Sequence, residues 1–199
     1  MPRSPEPTRE RLVEAAHALF SERGYAGVTV QEITRRAGVS QRTFFRHFPD
    51  KEEVIFADDE RLLPAITAAI TADHEPVGAQ QLMGEVLGGL AELMAPDRDR
   101  LRARQRIVEG DLALTGRELA KQAQWQPMIA AALVERGFDP QASDLLAAVG
   151  FTLFRATLHE WLDDEGGPSL KDRLVAGLPR VREVLDEVSD PGPGGRARG

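Results

Sequence analysis

Gln41, Arg42 and Thr43 follow directly on Ser40, with Arg46 one turn further along if the stretch is helical. Their chemistry is that of groups that read base edges. An arginine guanidinium forks onto guanine O6 and N7, and a glutamine carboxamide does the same on adenine. The threonine methyl suits thymine, or its hydroxyl a phosphate. Arg46 is a further phosphate candidate. For these groups to reach a duplex together, they must leave the first turns of a helix that enters the wide groove.

The flanking residues build such a helix. Thr29-Val-Gln-Glu32 has the form of a capping box, in which the Thr29 hydroxyl takes the Glu32 amide and the Glu32 carboxylate reaches back. Val30, Ile33, Ala37 and Val39 form a buried side. Gly38 stops this helix where positive φ is needed, and Ser40 caps the next, Gln41 to about His47. Asp50, with Glu53 three residues on, caps a third. Upstream, Thr8 to about Arg23 places Leu12, Ala15, Ala16, Leu19 and Phe20 on one face, which leaves His17 as a surface histidine. Phe44 and Phe48 fall on the core side, opposite Arg42 and Arg46. Two short helices around a glycine turn are the layout of a DNA-reading helix-turn-helix.

The tract LVEAAHALFSERGYAGVTVQEITRRAGVSQRTFFRHFPDKEEV resembles the amino-terminal domain of the TetR family of transcriptional regulators. The likeness is dense over residues 8–56. Gly24-Tyr25, the Thr29 cap, Ala37-Gly38-Val39-Ser40, Thr43, His47-Phe48 and Asp50-Lys51 stand at that family's spacing. TFFRHFPDKEEV also looks like an actinobacterial subgroup. By this resemblance Gln41, Arg42, Thr43, Phe45 and His47 are recognition-helix contacts, while Thr29, Gln31 and Lys51 clamp phosphates. The family usually has Tyr where this chain has Phe45, so a phosphate hydrogen bond is lost. Phe45 then meets a thymine methyl or sugar, or packs. His47 donates to a phosphate or bonds within the domain.

Charge is divided along the chain. Of 199 residues, 25 are Lys or Arg and 32 Asp or Glu, a net −7. Residues 1–51 hold nine basic and six acidic residues, a net +3, which leaves −10 for the rest. That asymmetry attracts a polyanion to the amino-terminal end only. There is no cysteine, which excludes disulfides, thiolate metal sites and a cysteine nucleophile. No apolar run reaches a membrane span of roughly 18–20 residues, so no membrane partner and a cytoplasmic location are expected.

Beyond the motif the patterns are helical throughout, and the fold class expected is all-α. An amino-terminal three-helix helix-turn-helix domain precedes a carboxy-terminal helical domain for ligand binding and dimerisation. The divisions are a disordered arm (1–7), the DNA-binding domain (8–51), the regulatory and dimerisation domain (52–188) and a disordered tail (189–199). Arg3 in the arm, with Arg9 and Arg11, reaches phosphate or a minor groove, or the arm is a plain tail. A long helix from Asp50 carries Pro64, which kinks or interrupts it. Helices follow at about 79–94, 98–113, 116–136, 141–163 and 169–188, with breaks that include Gly116, and with Pro127 and Pro179 inside two of them.

A single reading head makes few base contacts, so specific affinity implies two copies on a pseudo-palindrome. Leu145, Leu146, Val149, Leu153, Leu158 and Leu162, with Leu174, Leu178, Val181, Leu185 and Val188, give the last two helices broad apolar faces for a four-helix dimer interface. A hydrophobic or amphipathic small-molecule effector is expected among Ile66, Leu87, Leu90, Met94, Ile107, Trp125, Met128, Phe151, Phe154 and Trp161. Arg155 binds an anionic headgroup or an intersubunit carboxylate. Arg98, Arg100, Arg102, Arg104 and Arg106 alternate around a helix as a solvated surface, with an anionic-ligand rim as the lesser reading. His159 and Asp163 stand one turn apart, but a zincin would need a second His at 163. No catalytic residues, metal or cofactor are expected, since no phosphate-binding glycine loop, nucleophile elbow or framed carboxylate pair occurs.

The function that follows is a homodimeric, ligand-responsive DNA-binding regulator, a repressor released from its operator by the effector. The alternatives are a ligand-independent regulator or an activator, or a helical enzyme or carrier with a vestigial motif.

Overall fold

The computed structural model describes residues 7–72 and 77–189; the arm with Arg3 and residues 190–199 of the tail lie outside them. Every regular element among the described residues is helical, apart from which only turns occur: α1 (Thr8–Arg23), α2 (Val30–Ala37), α3 (Gln41–His47), α4 (Asp59–Thr71), α5 (Ala79–Met94), a 3-10 turn (Ala95–Asp97), α6 (Arg98–Glu109), α7 (Leu112–Glu135), α8 (Pro140–Asp163) and α9 (Leu170–Ser189). The chain is all-α, with an amino-terminal helix-turn-helix.

Two compact units divide it. The first runs to Thr67 and adds Asp97–Met128; the second joins Ala68–Pro96 to residues from Ile129 onward. In the first, α1 packs on α2 and α6, and α2 on α3. Leu12, Ala16, Phe20, Val28, Ile33, Phe44, Phe48, Val54, Ile55 and Phe56 are buried there, and Ile107, Val108 and Leu114 join the same core. In the second, α5, α8 and α9 pack mutually around Leu82, Leu90, Ala91, Ala147, Phe154, Trp161, Leu170 and Leu174. Arg136 donates to the Ile70 and Ala72 carbonyls at 2.7 and 2.8 Å, capping the end of α4.

Four expectations are corrected. The long helix begins at Asp59, not Asp50. Residues 50–58 form turns with Ile55 and Phe56 amides bonded three residues back, to Glu52 and Glu53 carbonyls. Val54 to Ala57 are all buried, and four consecutive side chains cannot share one face of an α-helix. The break near Gly116 lies instead at Gly110-Asp111, because the Asp111 carboxylate accepts the Ala113 and Leu114 amides and starts α7 there. Gly116 is carried inside the helix.

His17 is the third correction: it is only 8 % exposed, and neither ring nitrogen has a hydrogen-bond partner among the described residues. Its side of α1 meets α6, whose Arg100 and Arg104 lie near enough to oppose a charge on the ring. The arginine run is the fourth. Arg100 pairs with Asp58 at 2.6 Å, and Arg104 bridges Glu118 at 2.7 Å and Asp59 at 3.5 Å while stacking on Phe56. Pro64, Pro127 and Pro179 interrupt none of their helices.

Candidate nucleic-acid interface

The reading helix is set by three local devices. The Thr29 hydroxyl accepts the Glu32 amide at 3.3 Å, and the Glu32 carboxylate accepts the Thr29 amide at 2.8 Å, closing a complete capping box at the start of α2. Arg23 adds an ion pair to Glu32 at 2.6 Å. The Arg23 guanidinium first, and then the Thr29 amide and hydroxyl, hold the Glu32 carboxyl down at about 2. Gly38 then turns with φ +68°, in the left-handed region, and its amide reaches the Thr34 and Arg35 carbonyls. A side chain there would be strained, so this position fixes the α2–α3 corner. Finally the Ser40 hydroxyl accepts the Thr43 amide at 3.1 Å and lies 2.9 Å from the Thr43 hydroxyl.

From this corner α3 buries Phe44 against Phe48, with ring centroids 5.6 Å apart, and leaves its other face open. Gln41, Arg42, Phe45 and Arg46 are exposed on that face; Thr43 and His47 flank it, half-buried. Phe45 is 54 % exposed with its ring edge-on to Phe44, an arrangement that costs apolar hydration unless something covers it. Thr29 and Gln31 are exposed at the amino end of α2. The His47 Nε2 is covered without a partner among the described residues.

Lys51 is held differently from the rest. Its ammonium donates to the Tyr25 and Val28 carbonyls at 3.0 and 2.9 Å and sits 3.8 Å from the Tyr25 ring centroid. Burial pushes its pKa down, with Asp111 and Glu52 acting the other way. Arg9 likewise turns inward, donating to the Ala57 carbonyl at 2.9 Å and stacking on Phe48. Arg35 is exposed on α2, one turn beyond Gln31, and the sequence patterns did not single it out.

The residues expected at an effector site fall in both units. Ile66, Ile107, Trp125 and Met128 belong to the first, where Ile107 is part of the core and Met128 is exposed. Leu87, Leu90, Met94, Phe151, Phe154, Arg155 and Trp161 belong to the second. There Leu87, Leu90, Met94, Phe154 and Trp161 are buried, and Arg155 is exposed. On α8 and α9, Leu162 and Leu174 pack inside the protomer, whereas Leu145, Val149 and Val175 are exposed. The expected Val181, Leu185 and Val188 have side chains outside the description. His159 and Asp163 form an exposed pair 3.6 Å apart.

Comparison with known proteins gives this geometry a lineage. The model of the bacterial regulatory proteins of the tetR family matches residues 12–57. The HTH-type transcriptional regulator TcmR of Streptomyces glaucescens is 33% identical over 170 residues, covering 77% of this chain and 73% of that protein. Among solved structures, the regulator FadR from Bacillus subtilis in complex with stearoyl-CoA shares the fold at TM-score 0.60 and 19% identity, covering 85% of this chain and 95% of that one. Mycobacterium smegmatis AmtR does so at TM-score 0.56 and 23% identity, covering 91% and 89%. With the likeness to TcmR running far past the capped corner, the chain belongs to the TetR family and is a DNA-binding transcriptional regulator.

Proposed function

We propose that the chain acts as a cytoplasmic homodimer that represses transcription from a pseudo-palindromic operator and is released by a small hydrophobic or amphipathic effector. The observation that carries this reading is the exposed face of α3, where Gln41, Arg42, Phe45 and Arg46 stand together on a helix rigidly capped by Ser40. In this reading residues 8–51 read the DNA, Thr43 and His47 flank the base contacts, and Thr29 and Gln31 meet phosphates. Lys51 supports the surface from within as well as by its charge.

Residues 52–188 serve regulation and dimerisation. Leu145 and Val149 on α8, with Val175 on α9, are apolar and exposed in one protomer, which suits a face that a second copy covers. The effector reading rests on the apolar side chains of α5 and α8, and the stearoyl-CoA bound by the FadR relative of the same fold is an amphipathic molecule of the proposed kind. Release requires the effector to prefer the conformation that does not bind DNA. Selection of genomic fragments by the purified protein tests the operator. A reporter in a deletion strain separates repression from activation, and a gel shift separates both from an enzyme or carrier.

A further inference from the structure

Three carboxylates, Asp50, Glu52 and Glu53, come within six residues of the end of the recognition helix. Such a cluster beside a surface that meets phosphates is repulsive. Lys51 lies among them in sequence and its charge attracts Glu52, but its hydrogen bonds go to the Tyr25 and Val28 carbonyls. The compensating cations come from elsewhere in the chain. Arg117 on α7 donates to Glu52 at 2.6 Å, to Glu53 at 2.7 Å and to Asp50 at 2.9 Å. Lys121, one turn later, bonds the other Glu53 oxygen. Asp50 meanwhile caps the Glu53 amide at 2.8 Å, so the three side chains are held as one group. A guanidinium can bind several carboxylates at once because its donors form a planar fork.

We propose that Arg117 is a positioning residue for DNA binding, which masks the Asp50, Glu52 and Glu53 cluster behind the recognition helix and keeps it from repelling the duplex. This rests on the reading of α3 as the DNA-contacting face. Arg117 touches no DNA in this account. It acts through the carboxylates, and its effect is therefore electrostatic and screened by salt.

The test uses the full chain and a genomic fragment that the wild-type protein selects, titrated over a salt series with R117Q, R117K and R117Q/E52Q/E53Q. R117Q is expected to bind about tenfold more weakly at roughly 50 mM salt, with the deficit narrowing to about threefold or less by roughly 300 mM. R117K should lie between R117Q and wild type. The triple variant should return to within about threefold of wild type, because two of the three unmasked charges are gone. R117Q binding like wild type overturns the proposal, as does a deficit that neither salt nor the carboxamides reduce, since that is the mark of a fold defect. If wild type binds in a manner that depends on Arg42 while R117Q is unaffected, masking alone fails. If wild type selects no fragment, the DNA reading fails and takes the masking with it.

Discussion

The Lys51 ammonium is clamped on the Tyr25 backbone and ring, 3.0 Å from the carbonyl and 3.8 Å from the ring centroid. It joins the end of the helix-turn-helix to the α1–α2 turn, because the Val28 carbonyl is its other acceptor. Replacing Lys51 by Met takes its donor from the Val28 carbonyl and one of two donors from the Tyr25 carbonyl, which keeps the Val28 amide, and removes a cation–π contact. The expected loss is about 1–3 kcal/mol of unfolding free energy, read as a lower urea midpoint. A lysine used for phosphate contact alone would leave that midpoint unchanged.

Thr29→Ala removes the acceptor for the Glu32 amide and opens the capping box. Stability should fall by about 1 kcal/mol, and Thr29→Ser should recover most of it. Thermal unfolding of the two variants without DNA measures this. An equal melting temperature for Thr29→Ala and wild type would mean that the cap contributes nothing.

His17 gives a pH signature. Burial, with Arg100 and Arg104 nearby, lowers its pKa to about 4, so the ring is neutral in the folded protein. The unfolded chain binds the proton more tightly, and stability is therefore lost as pH falls from about 6.5 toward 4. Between pH 7 and pH 5 the cost is roughly 2 kcal/mol. Asp59 works in the opposite direction, since burial raises its carboxyl to about 6 despite Arg104, and protonation there relieves the folded state. Comparing His17→Leu with wild type isolates the histidine: the variant should lose less stability on acidification, measured by denaturant titration at the two pH values. Parallel losses would show the ring to be protonated in the fold.

The exposed apolar residues of α8 and α9 give a test of assembly. Leu145→Glu with Val149→Glu should convert a dimer into a folded monomer, as read by sedimentation, and should weaken operator binding by at least about tenfold because two half-sites are no longer read together. A variant that stays dimeric would remove these residues from the interface.

How much of this was legible depends on the range of the interactions. Thr29, Gly38 and Ser40 act within three or four residues, so the sequence patterns locate α2 and α3 to the residue. Phe44 and Phe48 follow from helical spacing. The burial of His17 is not legible locally, because α6, which packs on α1, lies some eighty residues later in the chain. Arg100, Arg104 and Arg117 pair with carboxylates 42 to 67 residues away, and Arg104 also with Glu118 14 residues on, which no local pattern encodes. At 50–58 the local signal is that of a helix start, since Asp50 does cap Glu53, but the four buried side chains that follow require a tighter path. Apolar side chains at helical spacing serve packing as readily as ligand binding, and Ile107 is part of the amino-terminal core.

Arg42 stands at the centre of the account, and its substitution is the most direct measurement. Operator binding by wild type, Arg42→Ala and Arg42→Ala/Thr43→Ala is compared at near-physiological salt on a selected fragment and on single-base variants of its half-sites. Loss of Arg42 should cost about 1–3 kcal/mol and relax discrimination at one base pair in each half-site. Unchanged affinity and unchanged base preference in the double variant would contradict the assignment of α3 as the reading helix.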